Sequence, residues 1–251
     1  MRSDSIFYYY DTTKIYASGV GADNRLGVCG ILDMFQDYAT AHSAHLGIDG
    51  DVLRDKYSAF WIVTKHRLHI YSQPKYLDTL TGETWVRPRA KITVDRCYRF
   101  TDDRGHLMVE GRSEWAVLDL SRHTIRRLDS TPYPTEENDI DDSPLAYPYL
   151  NIRYTPEKSE LVYSHTVRSS DIDMSAHTNN VSYARMMMNA FDCEFFKTHD
   201  ITDFEIAYRH ESTEGSVIDI YRHDEASRSI LACVSPDGTV YSAAEIKYRN
   251  K

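Results

Sequence analysis

The chain has 251 residues, 41% of them hydrophobic and 12% aromatic, enough for a core organised as one large domain or two of ordinary size. Its longest uninterrupted apolar runs, residues 59–63 among them, are far too short to span a membrane, and a net charge of −9 argues against general nucleic-acid binding. Cys29, Cys97, Cys193 and Cys233 are scattered without a CxxC pair, so the sequence points to no metal, no cofactor and no disulfide framework. With no apolar signal core near the start, the expected setting is reduced and cytoplasmic.

In chain order, residues 7–18 read as a tyrosine-rich strand and residues 19–27 as a loop of turn formers. A helix follows, with Val28, Ile31, Leu32, Phe35, Tyr38, Ala39 and His42 on one face and an expected end near Gly47. Strands are predicted within 59–73 and over 79–94. In the latter, Val86, Ala90, Ile92 and Val94 alternate with Arg87, Arg89, Lys91 and Thr93. Strands at 96–101 and 107–120, joined by a turn at 102–105, complete an antiparallel run. Residues 129–158 are acidic and broken by prolines, and are read as a linker between domains at 1–128 and 159–251.

The second half repeats this order. A strand at 161–168 and a loop at 169–179 lead to a helix at 180–198. Strands follow at 202–212, 216–223, 229–235 and 239–249, the last two joined by a Pro236-Asp-Gly238 turn. The repeat suggests two similar α+β domains. Charge is divided unequally between them. Residues 1–130 hold 18 basic and 17 acidic side chains, a balance of +1, whereas 131–251 hold 11 and 21, a balance of −10. An acidic partner would dock on the first half.

Residues 171–191 carry the most chemistry. Polar Asp171, Asp173, Ser175, His177, Asn179 and Asn180 lead into an apolar helical pattern of Val181, Ala184, Met187, Met188 and Phe191. Asp, Ser and Asn before a helix are ordinary caps. A helix start also offers free N–H groups to an oxyanion, and an imidazole such as that of His177 can polarise or deprotonate water. His42, His45, His66 and His69 lack the spacing or the third partner of a metal site.

The string Asp173-x-x-x-His177-x-Asn179-Asn180-x-x-Tyr183 resembles a motif of the acyl-ACP thioesterases of bacteria and plants, a hot-dog-fold family. The resemblance covers nearly the whole chain. Gly21-Ala-Asp-Asn-Arg25, Phe60-Trp-Ile-Val-Thr-Lys65 and Gly82-Glu-Thr-Trp-Val86 are similar to family segments in the same order. It implies two tandem hot-dog domains, each an antiparallel sheet wrapped around one long helix. It also implies hydrolysis of acyl-acyl carrier protein (acyl-ACP) to free fatty acid, by a monomer or a homodimer.

The family motif has Asp, Asn and His at the positions of Asp173, Ser175 and His177, so Ser175 departs from the pattern with a shorter hydroxyl. Tyr208-Arg-His-Glu-Ser212 resembles a family segment that places its acidic residue at Glu211, with Ser212 where the family has cysteine. The implied catalytic set is Asp173, Ser175, His177 and Glu211, with Asn179 and Asn180 at the oxyanion-binding helix start. Either Glu211 is a general base toward water, or it forms an acyl intermediate. The first half is left to bind the acyl chain. Arg87, Arg89 and Lys91 on one strand face, with Arg96, Arg99 and Arg104 nearby, are the candidate docking surface for the acidic carrier protein. An acyl-CoA thioesterase of the same fold and a non-catalytic acyl-binding protein are the competing readings.

Overall fold

A computed structural model describes residues 5–251. The alternating segments pair, all antiparallel, into one continuous sheet. Its strands in the first half are β1 (Tyr8–Lys14), β2 (Ala59–Ile70), β3 (Thr79–Val86), β4 (Thr93–Asp102), β5 (Leu107–Asp119) and the short β6 (Thr124–Arg126). The second half supplies β7 (Glu160–Thr166), β8 (His199–Tyr208), β9 (Val217–Glu225), β10 (Arg228–Val234) and β11 (Val240–Asn250). The spatial order is β1-β3-β4-β5-β2-β8-β11-β10-β9-β7, with β6 added to β5.

The two halves use the same permutation, mirrored about the β2–β8 seam. At that seam Arg67 lies opposite Glu205 and His69 opposite Asp203. A cross-strand polar pair forms at each position, an ion pair of Arg67 Nε with Glu205 Oε2 at 2.6 Å and a hydrogen bond between His69 Nδ1 and Asp203 Oδ1 at 2.8 Å. The sheet is thus joined in its middle by side-chain pairing as well as by the ladder.

Helix α1 (Val28–His45) buries the seven residues that its periodicity selects, from Val28 to His42. It ends where Gly47 adopts φ +68° and returns its N–H to the Ala44 carbonyl, a left-handed stop that glycine takes without strain. Phe35 stacks on Tyr98 with ring centroids 4.0 Å apart. The sheet admits that ring because Gly111 lies beneath it, where a Cβ would stand 2.2 Å from the Phe35 ring. Gly111→Ala is therefore expected to destabilise the fold by about 1–3 kcal/mol through overpacking. Equilibrium urea unfolding measures this, and an unchanged midpoint would show that the ring has room to move.

Two predicted elements are interrupted. The strand expected over 79–94 stops at Val86 because Pro88 has no N–H for the ladder. Residues 87–92 form a loop before β4, so Arg87, Arg89 and Lys91 do not share a strand face. The helix expected over 180–198 is two helices, α3 (Asn180–Met188) and α4 (Cys193–Thr198). Asp192 starts the second by accepting the Phe195 N–H at 2.8 Å, which restarts the chain in a new direction. A further helix, α2 (Gly50–Tyr57), starts at Asp49, whose side chain accepts the Asp51 and Val52 N–H groups.

Residues 129–158 contain no strand. Their carbonyls at Leu145, Tyr147 and Pro148 receive hydrogen bonds from the Arg67 guanidinium. The segment is thereby held against the seam. Among the described residues no helix is long and apolar enough to cross a membrane.

Candidate active site

The segment before α3 folds back on itself. Asp173 N–H donates to the His177 carbonyl at 3.0 Å, and Ala176 takes φ +63° to complete the turn. Inside it, Asp173 Oδ1 accepts both the Ser175 N–H at 2.8 Å and the Ser175 hydroxyl at 2.5 Å. Asp173 and Ser175 are thus partners of each other. The shorter side chain that departs from the family pattern closes this turn locally.

Glu211 arrives from the stretch after β8, 34 residues later in the chain. Thr178 N–H donates to the Ser212 carbonyl at 2.8 Å, and the Thr178 and Ser212 hydroxyls lie 2.7 Å apart. Ser212 Oγ also meets the Tyr183 hydroxyl at 2.7 Å. Burial pushes the Tyr183 phenol up to about 12, so it stays protonated as a member of this network. The buried Thr178–Ser212–Tyr183 cluster fixes the two segments side by side. His177 Nε2 and Glu211 Oε2 consequently come within 3.3 Å, with side chains 39% and 52% exposed. The two pairs, His177–Glu211 and Asp173–Ser175, are joined through the backbone of the turn.

Asn179 is the N-cap of α3. Its side-chain oxygen accepts the Val181 N–H at 2.8 Å, and its amide donates to Gln36 Oε1 of α1 at 3.2 Å. The same residue therefore caps α3 and ties it to the helix of the other half. The Asn180 carbonyl accepts from the Tyr208 hydroxyl at 3.2 Å.

A cavity of about 280 Å³ opens beside this helix start. Asp173, Met174, Asn179 and Asn180 line one end. Its walls continue along Gln36, Ala39, Thr40 and Ser43 of α1 into the first half, where Trp61, Trp115 and Arg96 are found, with Tyr133 of the connecting segment beside them. The sequence leaves acyl-chain binding to the first half without marking these four residues for it. Arg96, expected beside the basic docking surface, is buried. The overlooked signal was alternation, because Val94, Arg96, Tyr98 and Phe100 fall on one face of β4.

The basic residues proposed for docking are dispersed. Arg87 pairs with Asp141 at 2.7 Å, and Arg89 lies over the Tyr133 ring at 5.7 Å. Lys91 is exposed on the same loop. Arg99 is engaged by Glu110 at 2.9 Å and by Asp142. Among the described residues no group of three or more His, Cys, Asp or Glu side chains is placed to hold a metal ion.

Residues 8–131 match the family model of the acyl-ACP thioesterase N-terminal domain, and residues 154–250 that of its C-terminal domain. A chloroplastic acyl-(acyl-carrier-protein) hydrolase of Cuphea viscosissima is 24% identical over 212 residues, covering 80% of this chain and 51% of that protein. Oleoyl-acyl carrier protein thioesterase 2 of Arabidopsis thaliana, also chloroplastic, is 21% identical over 242 residues, covering 90% and 65%. The chain spans about half to two thirds of the length of these relatives.

Two solved structures share the fold. An acyl-ACP thioesterase from Bacteroides thetaiotaomicron superposes with a TM-score of 0.83 at 19% identity, over 96% of this chain and 98% of that one. The 12:0-ACP thioesterase from Umbellularia californica superposes with a TM-score of 0.86 at 18% identity, over 98% of both. The architecture is accordingly that of two tandem hot-dog units, each half of the sheet curving round its own helix.

Proposed function

The chain belongs to the acyl-ACP thioesterase family, and from that premise we propose that it hydrolyses acyl-ACP to free fatty acid at the start of α3. The observation that carries this reading is the approach of His177 Nε2 and Glu211 Oε2 to 3.3 Å beside a helix N-terminus that also lines the cavity. An ester or thioester carbonyl placed there would find a base, a proton carrier and backbone N–H donors within one turn of chain.

In the proposed reaction Glu211 takes a proton from water as the water oxygen attacks the thioester carbon. The oxyanion that forms is stabilised at the α3 N-terminus around Asn179 and Asn180. Collapse expels the carrier thiolate, which is protonated through His177, and the C–S bond is exchanged for a C–O bond. Asp173, clasped by Ser175, keeps the turn that presents His177. The cavity beside α1 takes the acyl chain, so the second half does the chemistry and the first half holds the substrate. The near-neutral first half also offers exposed Arg89 and Lys91 to the acidic carrier.

The test is release of fatty acid from a panel of acyl-ACPs by the wild type and by His177→Ala. Turnover that disappears in the variant is the expected result. Turnover with acyl-CoA alone would change the substrate, and none with either thioester would leave only an acyl-binding role.

A further inference from the structure

The cavity contains a positive charge that the protein leaves unbalanced. Arg96 lies on β4 between Val94 and Tyr98 and is 6% exposed. Its Nη1 donates to His42 Nδ1 at 2.8 Å and to Thr84 Oγ1 at 3.3 Å. His42 Nε2 meets the Ile6 carbonyl at 2.8 Å, so Nε2 carries the proton and Nδ1 is the acceptor. Burial and the adjacent guanidinium hold the His42 imidazole down to about 3. Both partners of Arg96 are therefore neutral. Among the described residues no carboxylate pairs with it, and the groups that bear on its charge are Tyr98, Tyr133 and Cys97.

A second polar group in the same cavity is also unmatched. Tyr133 is 6% exposed, and its hydroxyl has no hydrogen-bond partner. A guanidinium cannot shed its proton to escape burial, and an uncompensated buried charge costs far more than a neutral hydrogen bond returns. The two groups lie away from the thioester end. Gln36 touches Asn179, whereas His42, which holds Arg96, is six residues further along α1, about 9 Å at the helical rise.

We propose that the acyl chain accepted by this protein carries an oxygen function on its distal carbons, a hydroxyl or a carboxylate, bound by the Arg96 guanidinium and the Tyr133 hydroxyl. This rests on the assignment of the cavity to the acyl chain. A plain alkyl chain reaching Arg96 displaces its hydration and gives no hydrogen bond in return, whereas a distal oxygen supplies the missing acceptor.

Trp61 and Trp115 line the cavity and provide a direct binding signal. The experiment titrates the full chain with hydrolysis-resistant pantetheine amides bearing plain, ω-hydroxy or ω-carboxy acyl chains of matched length, following tryptophan fluorescence. The oxygenated chains are expected to bind at least about tenfold more tightly than the plain chain. Arg96→Met is expected to abolish the difference. Tyr133→Phe removes a single hydroxyl, is expected to shrink the difference, and serves if Arg96→Met does not fold.

Equal binding of plain and oxygenated chains, or a preference that survives both substitutions, overturns the proposal. Binding of none of the amides overturns it together with the assignment of the cavity. Fatty acid release is measured separately. Turnover with no preference for a distal oxygen keeps the hydrolase and rejects this specificity, whereas selective binding without turnover keeps the specificity and rejects the hydrolase.

Discussion

Replacing Glu211 by glutamine is expected to lower kcat on acyl-ACP by about 10²- to 10⁴-fold, the range that general acid–base catalysis supplies. The carboxylate meets His177 from outside the 173–180 turn, and glutamine keeps its size while removing the basic oxygen pair. KM is expected to change little, since Glu211 is outside the residues that line the cavity. Stability is also expected to hold to within about 0.5 kcal/mol, because the side chain is half exposed. A fall in kcat accompanied by an intact melting curve would therefore report chemistry. Activity retained by Glu211→Gln and Glu211→Ala would reject both the general base and the acyl-glutamate route. Between those two routes, an acyl adduct on Glu211 in acid-quenched wild-type protein would select the covalent one.

The largest loss of stability is expected at the seam. Glu205→Ala should cost about 3–5 kcal/mol, because it strands a guanidinium that is only 3% exposed. Glu205 is bound twice over, by Arg67 Nε at 2.6 Å and by the Leu150 N–H at 2.5 Å. Its removal therefore loosens both the β2–β8 junction and the segment laid across it. Tyr147 and Tyr149 stack over the same guanidinium at 4.1 and 5.0 Å, which confines it and limits access of water. Combining Glu205→Leu with Arg67→Met removes the stranded charge. The double variant is expected to be more stable than Glu205→Ala alone, while still missing the bonds from Arg67 to the carbonyls of residues 145–148. Chemical denaturation of the singles and the double measures the coupling. A loss below about 1 kcal/mol for Glu205→Ala would mean that the site relaxes open to water.

The family resemblance and the local patterns were legible together because they depend on short spacings. The α1 stripe from Val28 to His42 follows the helical period, and the polar turn from Asp173 to Asn180 marks a helix start. Periodicity failed where a single residue overrode it. Pro88 ended a strand whose alternation ran on, which scattered the Arg87, Arg89 and Lys91 face, and Asp192 restarted a helix whose apolar pattern continued to Phe195.

What the sequence determined by itself was the repeated order of strands and helices, the α1 face and the helix start that carries His177, since each is written in residues a few positions apart. The meeting of His177 with Glu211, the Arg67–Glu205 seam and the burial of Arg96 beside His42 arise from packing across the sheet. Those contacts join residues separated by 34, 138 and 54 positions. At such distances along the chain no period constrains a partner. The pairing register and the packing of α1 and α3 place one side chain against another.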